Sequence, residues 1–236
     1  MIKVAAIIVA GGKGLRMKSD KNKQYLEIGK HPILSYTLLK INRCKSVDKI
    51  FLVIPKEDFE YCLNDIISRI KLNKKIKLVK GGKDRQESVY NGLSAMKDEF
   101  DLVVIHDGVR PFVRIEDVEA AILMAAKHKA CILGLPVNDT LKKANPDDEC
   151  IIETTPRADM YLAQTPQVFE YNLVKEAHDK AIEKNFKGTD DASLVEQLGV
   201  SVKIIEGRST NIKITNNSDF ILARAIANLE KTEKKS

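Results

Sequence analysis

The sequence predicts an α/β protein built on one doubly wound, mostly parallel sheet. Short, continuously apolar segments rich in β-branched residues recur along the chain, and stretches of helical periodicity lie between them. Glycines and charged side chains gather directly after several of the apolar segments, at the strand ends where such sheets bind ligands. Repeated βα units with right-handed crossovers make the expected sheet Rossmann-like. A polar interruption over residues 137–165 predicts a β-hairpin arm projecting from it.

The chain has 236 residues, 44% of them hydrophobic, which is enough for one sizeable core and too little for two full domains. The expectation is therefore a single domain over 1–236 with 137–165 as an excursion. A net charge of +6 is spread along the chain, without the clustered cations and interleaved aromatics of a nucleic-acid binder. The surplus suits an anionic small substrate or plain solubility. No stretch approaches the length of a membrane span, and residues 1–9 mimic a secretion signal only weakly. Cys44, Cys62, Cys131 and Cys150 are isolated, with no C-x-x-C spacing, so a zinc site or disulfide framework is not expected. A reduced, cytoplasmic protein is the simplest reading.

The first strand is residues 4–9, VAAIIV, apolar throughout as a strand buried on both faces requires. It runs into Ala10, Gly11, Gly12, Lys13 and Gly14, then Arg16 and Lys23. Glycines without Cβ let backbone N–H groups approach an anion closely, while an arginine fork and a lysine point charge add cations to the same loop. That combination describes a polyphosphate cradle. It is not a Walker A loop, since no glycine precedes Lys-Ser or Lys-Thr, nor a dinucleotide fingerprint, since Met17 stands at the third glycine position. A tight strand-to-helix turn with steric glycines and solvated cations remains the alternative from these residues alone.

A helix follows from 33 with Leu34, Leu38 and Ile41 inward, then a strand over 49–54 closed by Pro55. Phe59, Cys62, Leu63, Ile66, Ile67 and Ile70 share one helical face. The strand at 76–79 leads into Gly81, Gly82, Arg85 and Ser88, where Ser88 either caps the helix expected over 88–96 or binds a ligand. The strand at 102–105 leads into His106-Asp107-Gly108-Val109-Arg110-Pro111. Asp107 at a strand end beside a bound polyphosphate would suit Mg²⁺, and Arg110 could grip a phosphate; a capping Asp paired with Arg110 is the bland alternative. His106 reads as scaffolding.

A helix over 116–127 and a strand over 131–135 precede the interruption. Its two β-rich stretches flank a turn at Asn145-Pro146-Asp147, and an exposed hairpin needs something to cover it, which favours a homodimer. Beyond it come a helix over 170–185 and a second helix capped by 188–193. There Asp190 and Asp191 could bind a metal but more often serve the helix dipole. A strand over 202–205, the segment Asn211-Ile212-Lys213-Ile214-Thr215, and a last helix from 217 complete the chain.

These spaced segments, AGGKGLRM with KQYL, GGKDRQESV, HDGVRP, PVNDT and NIKIT, together resemble the cytidylyltransferase branch of the sugar-phosphate nucleotidyltransferases. The resemblance implies transfer of a cytidylyl group from CTP to a polyol phosphate with release of pyrophosphate, assisted by Mg²⁺. It implies that Arg16 and Lys23 act on the α-phosphate as catalytic residues, and that Ala10, Gly11, Gly12, Gly14, Gly81, Gly82, Ser88 and Gly108 bind the nucleotide. It further implies that Asp107, Arg110, Thr140, Arg157 and Lys213 bind the acceptor, that Asp107 serves the metal, and that Arg157 reaches the neighbouring subunit's site. A ribitol 5-phosphate cytidylyltransferase is the nearer alternative, and a non-catalytic nucleotide-binding dimer on the same sheet is the alternative from another class.

Overall fold

A computed structural model describes residues 2–12, 22–97 and 99–233. Gly14 and Arg16 therefore lie outside the described residues. The central sheet has seven strands: β1 (Val4–Val9), β4 (Lys49–Ile54), β5 (Lys75–Lys80), β6 (Leu102–Asp107), β7 (Ala130–Pro136), β10 (Tyr161–Glu170) and β11 (Lys203–Glu206). Their order across the sheet is β11-β7-β10-β6-β1-β4-β5. Every pairing is parallel except those of β10, which runs antiparallel between β6 and β7.

β1 shows why both faces are covered. Val4, Ala6 and Ile8 belong to one apolar cluster while Ala5 and Ile7 belong to the other, the alternation that a period of two imposes. The first cluster is closed by Leu34, Leu38 and Ile41 of α1 (Ile33–Arg43) and by Val118, Ala121 and Ala125 of α4 (Ile115–His128). A short helix, α2 (Phe59–Tyr61), widens into a π-type turn over Cys62–Ile67 and adds Cys62 and Ile66. The second cluster is closed by Val89 and Leu93 of α3 (Arg85–Ser94), Val174 and Ala177 of α5 (Tyr171–Glu183) and Leu194 of α6 (Asp191–Glu196). α7 (Asn217–Glu233) seats Ala223, Ile226 and Ala227 on a third cluster with Val109, Phe112 and Ile214. Two small ladders remain: β2 (Glu27–Ile28) with β3 (His31–Pro32), and the exposed hairpin β8 (Leu141–Ala144) with β9 (Ile151–Thr155).

Three differences from the sequence reading bear on the site. β10 has no counterpart among the predicted strands, and its first residues, 161–165, fall within the expected arm yet belong to the central sheet. Pro166 disguises it, because proline within a run argues against a central strand; here it sits in a register shift between Gln164 and Gln167, after a cis Thr165–Pro166 bond. β6 runs two residues further than expected, so His106 and Asp107 are its last residues. Ser88 is not the cap of α3: Asp84 is, accepting from the Glu87 N–H at 2.8 Å, and the helix begins a turn earlier than expected.

Candidate active site at the carboxyl edge of the sheet

The carboxyl ends of β1, β5 and β6 bring together residues far apart in sequence. The Gly108 N–H donates to the Val9 carbonyl at 2.8 Å, and a Cβ on Gly108 would stand 2.8 Å from Ala10 Cβ, so only glycine lets β6 end this close to β1. A Cβ on Gly11 would lie 3.5 Å from Ser88 Oγ, and one on Gly81 equally 3.5 Å from it. Gly11, Gly81 and Ser88 are thus packed together as one patch of small residues. Ser88 is buried; its Oγ accepts from the Gly82 N–H at 3.0 Å and donates to the Asp84 carbonyl at 2.7 Å, closing the turn. The Lys23 side chain approaches Gly12, where a Cβ would stand 4.0 Å from its Cε.

At the same sheet edge lies a cluster centred on Asp107, which is 5% exposed. Arg85 Nε approaches its Oδ1 at 3.2 Å, while Arg110 Nε at 3.3 Å and Lys213 Nζ at 3.0 Å share its Oδ2. Burial alone would raise the carboxyl pKa, but the Arg85 guanidinium, then Lys213 and Arg110, hold it well below the usual carboxylate range. The Arg110–Asp107 pair expected as the bland alternative is present, but as part of a four-residue cluster. Lys213 is the most exposed of the four, at 38% of its side chain, and so stands toward solvent.

His106 and β10 hold the cluster from behind. The Arg110 carbonyl can only accept, so His106 Nε2, 3.1 Å away, carries the proton. Nδ1 then accepts from the Thr165 hydroxyl at 2.9 Å, whose oxygen accepts from the Asp107 N–H at 3.1 Å. Burial pushes the His106 pKa down to about 4, which keeps the ring neutral. Arg110 Nη1 donates to the Asn211 carbonyl at 2.7 Å, and the Asn211 amide donates to the Thr165 carbonyl at 2.9 Å. The scaffolding role read for His106 is thereby given its atoms.

Arg85 also faces away from Asp107. Its Nη1 lies 2.8 Å from Asp191 Oδ2, and Asp191 is 1% exposed. Asp190, not Asp191, caps α6, through a reciprocal pair of hydrogen bonds with Ser193. The sequence reading separated Arg85 from these acids because only the tertiary fold joins positions 85, 107 and 191.

Thr140 and Arg157 lie apart from this cluster, on the exposed arm; the Arg157 guanidinium donates to the Asn138 carbonyl of the same arm. Among the described residues no group of three or more His, Cys, Asp or Glu side chains could hold a metal ion. One ionised carboxylate suits a Mg²⁺ ion that arrives on phosphates, because such ions keep few protein ligands. Asp107 is the strand-end carboxylate that would serve, and a Mg²⁺ ion there would have to share its oxygens with Arg85, Arg110 and Lys213.

A doubly wound sheet that sets closely packed small residues beside a buried, cation-rich cluster at its carboxyl edge suits a nucleotidyltransferase-type protein. The family model described as 2-C-methyl-D-erythritol 4-phosphate cytidylyltransferase matches residues 4–229, and the chain belongs to that family. A relative from Caldanaerobacter subterraneus subsp. tengcongensis of that name is 43% identical over 93% of this chain and 96% of its own length. One from Clostridium botulinum (strain Langeland) is 45% identical over 96% and 98%. Among solved structures, the 4-diphosphocytidyl-2C-methyl-D-erythritol synthase of Anaerococcus prevotii is 37% identical, with a TM-score of 0.84 over 96% of each chain.

Proposed function

We propose that this chain transfers a cytidylyl group from CTP to 2-C-methyl-D-erythritol 4-phosphate, releasing pyrophosphate and giving the cytidine diphosphate alcohol, a step of isoprenoid biosynthesis. The observation that carries the reading is the Asp107 cluster at the same sheet edge as the closely packed Gly11, Gly81 and Ser88, in a chain that matches the family over 4–229.

The acceptor phosphate is already an anion, so no strong general base is needed. What the protein supplies is alignment of two anionic substrates and compensation for charge as the α-phosphorus becomes crowded. Gly11, Gly12 and Gly14 offer backbone N–H groups to the triphosphate, beside Ala10, whose own N–H is held by the Val53 carbonyl at 2.8 Å; Gly81, Gly82, Ser88 and Gly108 shape the base and ribose side. Lys23 and Arg16 neutralise the α-phosphate as it is attacked. Bound with the nucleotide, Mg²⁺ would supply further charge compensation, and Asp107 is the residue that would hold it. Arg110 and Lys213 grip the acceptor phosphate, joined by Thr140 and by Arg157 from a second copy.

The arm supports that second copy. Ile151, Ile152 and Leu162 are 63%, 59% and 57% exposed, an apolar strip on and beside the hairpin that a homodimer would cover. No helix of the described residues is long and apolar enough to cross a membrane, and the four cysteines are free, as suits a cytoplasmic enzyme.

Steady-state kinetics of two variants test the assignment of ends. Lys23→Ala should lower kcat by about 10²–10³-fold with a smaller effect on CTP KM, as loss of a transition-state donor does. Lys213→Ala should raise the acceptor KM and leave CTP KM near the native value. Equal effects of both substitutions on both KM values would overturn the assignment.

A further inference from the structure

We infer that Asp191 is a positioning residue for the transfer reaction, acting through Arg85 to fix the Asp107 carboxylate and hence the two cations that face the acceptor. The inference rests on the cytidylyltransferase reading and on Arg110 and Lys213 gripping the acceptor phosphate.

Arg85 ties the two acids together with different nitrogens: Nε to Asp107 Oδ1 at 3.2 Å and Nη1 to Asp191 Oδ2 at 2.8 Å. By occupying Oδ1 it leaves Oδ2 to Arg110 and Lys213. A carboxylate without that restraint could turn both oxygens to the Arg110 fork, the bidentate arrangement arginine favours, and draw Arg110 and Lys213 out of register. Arg85 therefore decides which oxygen the acceptor-side cations share.

Arg85 is in turn held from behind. Asp191 Oδ1 meets His178 Nε2 of α5 at 3.1 Å, and both side chains are buried. The Asp191 and Ala192 N–H groups donate to Gln167 Oε1 at 3.1 and 3.2 Å, and Gln167 Nε2 donates to Asp190 Oδ2 at 2.6 Å. Gln167 stands opposite Ile105 of β6, two residues before Asp107. The segment that ends in Asp107 and the helix that carries Asp191 are thus referenced to the same point on β10.

Stability alone is a poor reason for this construction. Buried ion pairs are often no better than apolar residues of similar volume, and here Arg85 Nη2 and His178 Nδ1 are buried without a hydrogen-bond partner, as is Asp191 Oδ2 apart from its ion pair with Arg85. Outer residues that orient inner ligands, by contrast, change affinity or rate when altered although they touch no substrate.

The test is steady-state kinetics of Asp191→Asn and Arg85→Lys, with melting curves alongside and Lys213→Ala as reference. Asparagine keeps the shape but not the charge that anchors Arg85; one lysine ammonium cannot span both acids. Each should lower kcat/KM for the acceptor by about 10–100-fold while CTP KM stays within about threefold of native. Paired in one chain, the two should cost little more than Arg85→Lys alone, because they break one linkage. Unchanged acceptor kinetics in both single variants, or losses shared equally by CTP and acceptor, would overturn the inference. If Lys213→Ala raises the acceptor KM and Asp191→Asn does not, the linkage fails alone; if neither raises it, the acceptor assignment fails with it.

Discussion

Asp107 sets the electrostatics of the candidate site at the level of single residues. Three cations converge on one buried carboxylate, and Asp191 balances only part of the surplus, so the cluster is prepared for an anionic ligand. Asp107→Asn would leave Arg85, Arg110 and Lys213 facing one another. Loss of one partner of a buried pair should lower stability by about 3–5 kcal/mol in chemical denaturation, with part recovered on adding inorganic phosphate. Gly108→Ala should also destabilise, by about 1–3 kcal/mol, since its Cβ would meet Ala10 Cβ at 2.8 Å and the Val9 carbonyl at 3.1 Å. His106 supplies a pH dependence. Its pKa falls from 6.5 to about 4 on folding, so between those values the unfolded chain binds a proton that the folded one refuses. Stability is then fully present above pH 6.5 and declines as pH falls toward 4, by on the order of 3 kcal/mol in all. Melting curves in EDTA should show that slope, and His106→Gln should flatten it. Asp107, Gly108 and Arg110 were legible because they crowd one strand end. Asp191 was not, because nothing in a helix-start Asp pair announces which member caps and which turns inward.

At the level of elements, the parallel strands and the helices that cover them were legible from apolar runs and helical periodicity, with both ends of β1 and β4 exact and others displaced by up to three residues. The end shifts matter only where they move a functional group: β6 carries Asp107 as its final residue, and α3 begins at Arg85. β10 escaped for a physical reason. Its Gln164, Thr165, Pro166 and Gln167 read as a loop, yet those polar groups are buried and spent on internal bonds: Gln164 on Arg208, Thr165 on His106 and Asp107, Gln167 on α6. A strand that holds a site by polar contacts does not look apolar. Thr165→Val, nearly isosteric, should remove the hydroxyl between His106 and Asp107; the acceptor kcat/KM should fall about tenfold with the sheet intact by circular dichroism. The hairpin was legible as two β-rich stretches about a turn, because its exposure leaves the local pattern undisturbed.

The whole molecule is one sheet whose carboxyl edge collects what its order brings near: the Gly11–Gly12 turn, the Gly81–Ser88 turn and the Asp107 cluster. Arg157 and Thr140 lie outside that collection in a single chain, as expected if a second copy brings an arm to each site. Mixing Arg157→Ala with Lys213→Ala, each poorly active alone, should restore up to about a quarter of native activity, since one site in each mixed dimer escapes both lesions. The most direct measurement is pyrophosphate release from CTP and Mg²⁺ by the native protein, with 2-C-methyl-D-erythritol 4-phosphate and ribitol 5-phosphate supplied separately. Turnover with the methylerythritol phosphate and little or none with the ribitol phosphate is the predicted result. Turnover with ribitol phosphate in its place, or CTP binding without pyrophosphate release from either, would contradict the account.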